Sequence, residues 1–150
     1  MPSSFFHFSR LISALGITGR QAEDAVRKCG ITLNRNPIPF DPNGPWYTSG
    51  LRFGTPATTT LGMGPDEMKE IAAVVARVLR AVTPGTSKSG GKDKAKYTLD
   101  ETVQREALAR TTRLAVERAR LERAARRAYA IDLGTGLPNR VQLMEHMTHL

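Results

Sequence analysis

The chain has 150 residues and a mass of 16.4 kDa, a length that suits one domain with an appendage. Hydrophobic residues make up 40% and charged residues 24%, as in an ordinary folded protein, and no apolar run is long enough for a transmembrane helix. One cysteine excludes a disulfide framework and a cysteine-rich zinc site, and a net charge of +8 permits an acidic partner without naming one.

The positive charge is uneven. Residues 1–84 hold nine basic and six acidic side chains, whereas residues 85–150 hold thirteen and eight. Nucleic acid is a candidate partner on charge alone, with binding that would weaken steeply in salt. His7, His146 and His149 lie near the ends and are too scattered to suggest a metal site. Residues 1–14 carry no assignment. Their apolar stretch is short and no small-residue cleavage site follows it, so no secretory signal and a cytoplasmic chain without membrane partners are expected.

The first predicted helix lies near 19–29. Thr18-Gly19-Arg20-Gln21 has the spacing of a capping box, and Ala22, Ala25, Val26 and Cys29 share one helical face. Gly30 supplies a left-handed stop. Cys29 reads as a small core residue rather than a nucleophile. Ile31–Asn34 is a short predicted strand. Between Asn36 and Tyr47 stand Pro37, Pro39, Pro42 and Pro45, which make a stiff loop, either a connector or a ligand-contacting element.

A second strand is predicted over Ser49–Gly54, where Leu51 and Phe53 alternate with Arg52. Arg52 stands between Gly50 and Gly54, and its planar fork matches a carboxylate or phosphate. A solvated strand arginine gives the same pattern. The clearest helix spans 65–83, with Met68, Ile71, Ala72, Val75, Val78, Leu79 and Val82 in helical spacing.

Residues 85–97 read as a flexible basic linker. A long Ala/Arg/Glu-rich helix is expected over 98–129, opened by Thr98-Leu99-Asp100-Glu101 and supported by Glu101–Arg105, Glu106–Arg110 and Glu122–Arg126 pairs. Its apolar stripe is thin, so it reads as a solvated face, a weak coiled coil, or a basic surface for nucleic acid or anionic lipid. Residues 130–150 form a short tail. The predicted fold class is α/β: a small antiparallel sheet of Ile31–Asn34 and Ser49–Gly54 packed on the helices near 19–29 and 65–83, followed by the long basic helix.

Four blocks then carry a resemblance. Thr18-Gly19-Arg20-Gln21-Ala22-Glu23, Gly30-Ile31-Thr32-Leu33-Asn34-Arg35-Asn36, Pro39-Phe40-Asp41-Pro42 and Thr48 to Ala57 stand in an order and spacing that resemble serine hydroxymethyltransferase. The likeness is to the C-terminal small domain of this fold-type I pyridoxal-phosphate enzyme, over residues 15–84. With Lys94-Ala95-Lys96-Tyr97 it extends to about residue 115.

The resemblance implies that Arg52 binds the carboxylate of serine or glycine. It implies that Asn36 hydrogen-bonds the folate pterin and that Gly44-Pro45-Trp46 borders the folate, with Trp46 where members often have Phe. Family members use pyridoxal 5'-phosphate with tetrahydrofolate as co-substrate, act in one-carbon metabolism, and are homo-oligomers. The family's His-Lys pair, which carries the Schiff-base lysine, has no match here, so a fragment without catalytic residues and without transferase activity of its own is expected. The alternative is a non-catalytic interaction or oligomerisation module using the helix at 98–129. Residues 132–140, Asp-Leu-Gly-Thr-Gly-Leu-Pro-Asn-Arg, also resemble the opening of diguanylate-cyclase (GGDEF) domains.

Overall fold

A computed structural model describes residues 12–129, together with positions 139, 144 and 147. A helical turn at 12–15 buries Ile12 and leads to α1, Gly19–Lys28. The capping box is formed as its spacing requires. The Thr18 hydroxyl accepts from the Gln21 N–H at 3.2 Å, and the Gln21 side-chain oxygen accepts from the Thr18 N–H at 2.9 Å. Gly30 ends the helix with φ +81°, a conformation that costs glycine little. Cys29 is buried, and burial pushes its thiol pKa up, as suits a core residue.

β1 (Asn34–Asn36) pairs antiparallel with β2 (Gly50–Arg52), in the register Asn34 to Arg52 and Asn36 to Gly50. The expected sheet is present, but its first strand lies further along than Ile31–Asn34. Leu33 turns into the core instead of entering the ladder. A short helix, α2 (Gly44–Tyr47), joins the two strands, and α3 (Pro56–Thr60) follows them.

α4 runs over Pro65–Arg80, with Asp66 and Glu67 in its first turn and Arg77 and Arg80 in its last, both favourable to the helix dipole. It buries Val74, Val75, Val78 and Leu79. It stops short of 83 because Val82 enters a strand. That strand, β3 (Val82–Thr86), pairs antiparallel with β4 (Lys92–Leu99) to make a second two-stranded sheet.

The expected linker at 85–97 is therefore corrected to a β-hairpin. Asp93, Ala95, Tyr97 and Leu99 are the more buried positions of β4, and the lysines between them face solvent. The hairpin is held to α1 by polar groups. The Gln21 amide donates to the Asp93 and Lys96 carbonyls at 2.8 and 2.7 Å, and the Thr18 hydroxyl donates to the Lys94 carbonyl at 2.8 Å. The Tyr97 hydroxyl donates to Asp24 at 2.5 Å.

α5 spans Glu101–Tyr129, 29 residues or roughly 43 Å. It starts at 101 rather than 98, because Thr98 and Leu99 still belong to β4 and Asp100 caps the Val103 N–H at 2.9 Å. It lies antiparallel to α4, tied by Arg77–Glu106, Arg110–Glu70 (2.6 Å) and Arg118–Glu67. Glu106 and Arg110 thus reach across to α4 instead of pairing with each other. Ile17, Ala22, Ala25, Val26, Leu51, Val75, Val78, Leu79 and Ala107 share one core. No helix among the described residues is long and apolar enough to cross a membrane.

Candidate functional site

Strand alternation places Asn34 and Asn36 on one face of β1 and Arg35 on the other. The register puts Arg52 opposite Asn34 and diagonal to Asn36, so Arg52 and Asn36 share the outer face of the β1–β2 ribbon. Leu51 and Arg35 face inward, where Leu51 is buried and Arg35 pairs with Glu23 at 2.8 Å. Arg52 is exposed, and no carboxylate among the described residues pairs with it. The Asn36 amide donates to the Pro37 carbonyl at 3.1 Å.

Of the two glycines that bracket Arg52, one is required by close approach. A Cβ on Gly50 would lie 2.7 Å from the Asn36 carbonyl oxygen, whereas on Gly54 it would meet only Pro56 at 3.8 Å. Gly50 therefore sets the ribbon's narrow spacing beside Arg52 and Asn36.

The loop between the strands is organised by Asp41, a residue to which the sequence gives no role. Its carboxylate accepts from the N–H groups of Ile38 (3.1 Å), Asn43 (2.9 Å) and Ser49 (2.8 Å) and from the Ser49 hydroxyl (2.6 Å). Burial alone would raise its pKa, but the hydrogen bonds from Ser49, Asn43 and Ile38 outweigh it and hold the carboxyl below its usual range. Such a group contributes stability above its unfolded pKa of about 3.9, and the contribution is lost as pH falls through the lower folded value. Urea midpoints of the parent should fall on acidification below about pH 4, and Asp41→Asn should flatten that fall. Asp41→Asn should also cost about 1 kcal/mol at neutral pH. Parallel midpoint curves for the two proteins would refute the cradle.

The loop presents Gly44 at φ +69° with open space around it, then exposed Pro45 and Trp46, the latter 68% exposed. At its end Thr48 is held at φ +53° and ψ 167°, a region that β-branched residues avoid at a cost of order 1–3 kcal/mol. Two backbone bonds hold it there: Thr48 N–H to the Gly44 carbonyl at 3.0 Å, and Gly19 N–H to the Thr48 carbonyl at 2.9 Å. Its hydroxyl is buried without a hydrogen-bond partner among the described residues.

The structure thus brings Arg52 and Asn36 to one face and sets Gly44-Pro45-Trp46 on the loop that joins their strands. A separate apolar cleft of about 440 Å³ opens between the 53–58 segment, α4 and α5, and Phe53 lines it, but none of these five residues does. Among the described residues no group of three or more His, Cys, Asp or Glu could hold a metal.

Comparison with known proteins agrees with the resemblance. The family profile of serine hydroxymethyltransferase matches residues 10–75, beginning inside the segment 1–14 that composition leaves unassigned. The serine hydroxymethyltransferase of Treponema pallidum is 62% identical over 84 residues, which is 56% of this chain and 15% of that protein. The enzyme of Cutibacterium acnes is 50% identical over 91 residues (61% of this chain, 18% of the relative). That of Chlamydia muridarum is 47% identical over 103 residues (69% of this chain, 21% of the relative). The chain spans about a fifth or less of the length of these relatives. The diguanylate-cyclase likeness of residues 132–140 is not borne out, and apart from Asn139 it lies outside the described residues. Residues 10–75 are thus homologous to serine hydroxymethyltransferase, and the face shared by Arg52 and Asn36 lies wholly within that homologous stretch.

Proposed function

We propose that this chain supplies the substrate-binding face of a cytoplasmic serine hydroxymethyltransferase, the enzyme that interconverts serine and glycine with tetrahydrofolate. In this reading Arg52 holds the amino-acid carboxylate. Asn36 and the Gly44-Pro45-Trp46 turn border the folate. The observation that carries the proposal is the pairing of β1 with β2. It sets exposed Arg52 and half-buried Asn36 on one outer face, with no carboxylate among the described residues to neutralise the guanidinium.

The cofactor of that reaction, pyridoxal 5'-phosphate, is held through a lysine. All six lysines of this chain, at 28, 69, 88, 92, 94 and 96, are exposed, where a Schiff base would have no enclosure from water. These residues do not fit the cofactor, and its attachment belongs to the rest of a complete enzyme.

Trp46 is the sole tryptophan, so its fluorescence reports on this loop directly. Titration of the full chain with glycine should give saturable quenching, weakened at least tenfold in Arg52→Ala, the order expected for losing a charge-assisted pair. Equal quenching in parent and variant would overturn the assignment of Arg52. Serine and tetrahydrofolate should yield no glycine with the purified chain, and turnover would overturn the assignment of the cofactor to another part.

A further inference from the structure

On the inner side of the ribbon a second cleft, of about 310 Å³, is lined by Arg20, Glu23, Asp24, Arg27, Arg35 and Ala95. Three guanidinium groups line it from two elements: Arg20 and Arg27 from α1 and Arg35 from β1. Glu23 is the better buried member, with its side chain 12% exposed. One of its oxygens accepts from Arg27 and the other from Arg35, both at 2.8 Å.

Asp24 is not free to balance the remaining charge. It accepts from the Tyr97 hydroxyl at 2.5 Å and pairs with Lys28 at 3.1 Å. Arg20 has no carboxylate partner among the described residues, and its guanidinium lies 6.0 Å from the centre of the Tyr47 ring. Lys94, likewise without a carboxylate among the described residues, places its ammonium 5.8 Å from the same ring. Three guanidinium charges therefore face one available carboxylate, which leaves two positive charges uncompensated in the cleft and a further cation beside it.

Convergent cations raise the local potential and draw anions in. Glu23 holds one nitrogen of Arg27 and one of Arg35 and leaves their other N–H donors for a ligand, so part of the ordering is done before binding. We propose that this cleft binds a small multivalent anion, with phosphate or carboxylate groups spaced as in pyrophosphate or citrate. Arg20, Arg27 and Arg35 are its donors, and Glu23 is the positioning residue. Because Arg35 points to the face opposite Arg52 and Asn36, this site is distinct from the candidate substrate face.

Calorimetric titration of the full chain with pyrophosphate and, separately, with citrate tests the proposal. At least one probe should saturate with one equivalent. The probe that binds more tightly tells whether phosphate or carboxylate groups are preferred, and equal affinities assign the site to anions of both kinds. Arg20→Gln should weaken binding at least tenfold without shifting thermal unfolding. Arg113→Gln removes the same charge from the exposed face of α5 and should leave the affinity within twofold of the parent. The site is refuted if neither probe saturates, if both variants weaken binding equally (diffuse charge), or if Arg52→Ala abolishes it (an anion on the outer face).

Discussion

Replacing Gln21 by alanine should cost about 3 kcal/mol of folding stability, the sum of a few buried polar groups left unpaired. The side chain is 1% exposed and serves two structures at once. Its oxygen caps the Thr18 N–H, and its amide donates to the carbonyls of Asp93 and Lys96. Alanine would leave one buried N–H and two partly buried carbonyls without partners, and a void behind them. In a domain of this size the loss corresponds to a fall of about 10 °C in Tm. Thr18→Ser, which keeps a hydroxyl at the cap, should stay within about 1 kcal/mol of the parent. A Gln21→Ala protein within 1 kcal/mol of the parent in urea denaturation would show that the hairpin is not held this way.

Gly19→Ala should be nearly as damaging, by overlap rather than loss. A Cβ there would overlap the Thr48 hydroxyl outright, lie 2.9 Å from the Gly50 carbonyl oxygen and lie 3.3 Å from Arg35 Cβ. These neighbours are the buried Thr48 hydroxyl, backbone, and a Cβ fixed to the paired strand, and they have little room to move. The N-terminus of α1 must lift, stretching the Gly19 N–H bond to Thr48 that helps hold the Trp46 loop. A cost of about 3 kcal/mol follows, at the upper end of ordinary overpacking. Adding Thr48→Ala removes the hydroxyl and should recover about 1 kcal/mol, a coupling that a double-mutant cycle measures. Strict additivity of the two substitutions would refute the contact.

Local signals were legible in the sequence. The Thr18–Gln21 box and the Gly30 stop depend on residues within a few positions and stand where their spacing puts them, and the apolar spacing of α4 finds the helix with its buried Val75, Val78 and Leu79 but misses buried Val74 and carries Val82 past the helix end into a strand. The ribbon was legible as two strands. Its register was not, because it depends on Gly50 approaching the Asn36 carbonyl, a contact between distant positions. The β3–β4 hairpin was hidden by composition. Two of the four inward positions of β4 are Asp93 and Ala95, so period-2 alternation carries almost no apolar contrast, while the lysines between them imitate a linker.

Polar roles that span the chain were equally invisible. Gln21 reads as a local cap, yet its amide serves carbonyls 72 and 75 residues away. Asp41 lies in a proline-rich loop whose composition suggests a turn, and only the structure shows Ser49 returning to its carboxylate. Of the candidate site, the residue types that suit a carboxylate or a folate were readable through the resemblance. Their placement on one face required the strand pairing.

The two-sidedness of the β1–β2 ribbon separates what this region must conserve from what it is free to change. Leu51, Gly50 and Arg35 are fixed by packing, by backbone approach and by an ion pair, so drift there is penalised in folding. The Arg52 side chain makes no contact that the fold needs among the described residues. If Arg52 holds the substrate carboxylate as proposed, substitution there would alter recognition at little thermodynamic expense and relax the usual conflict between activity and stability. In that reading, selection could retune what the outer face accepts while the inner face keeps the scaffold constant.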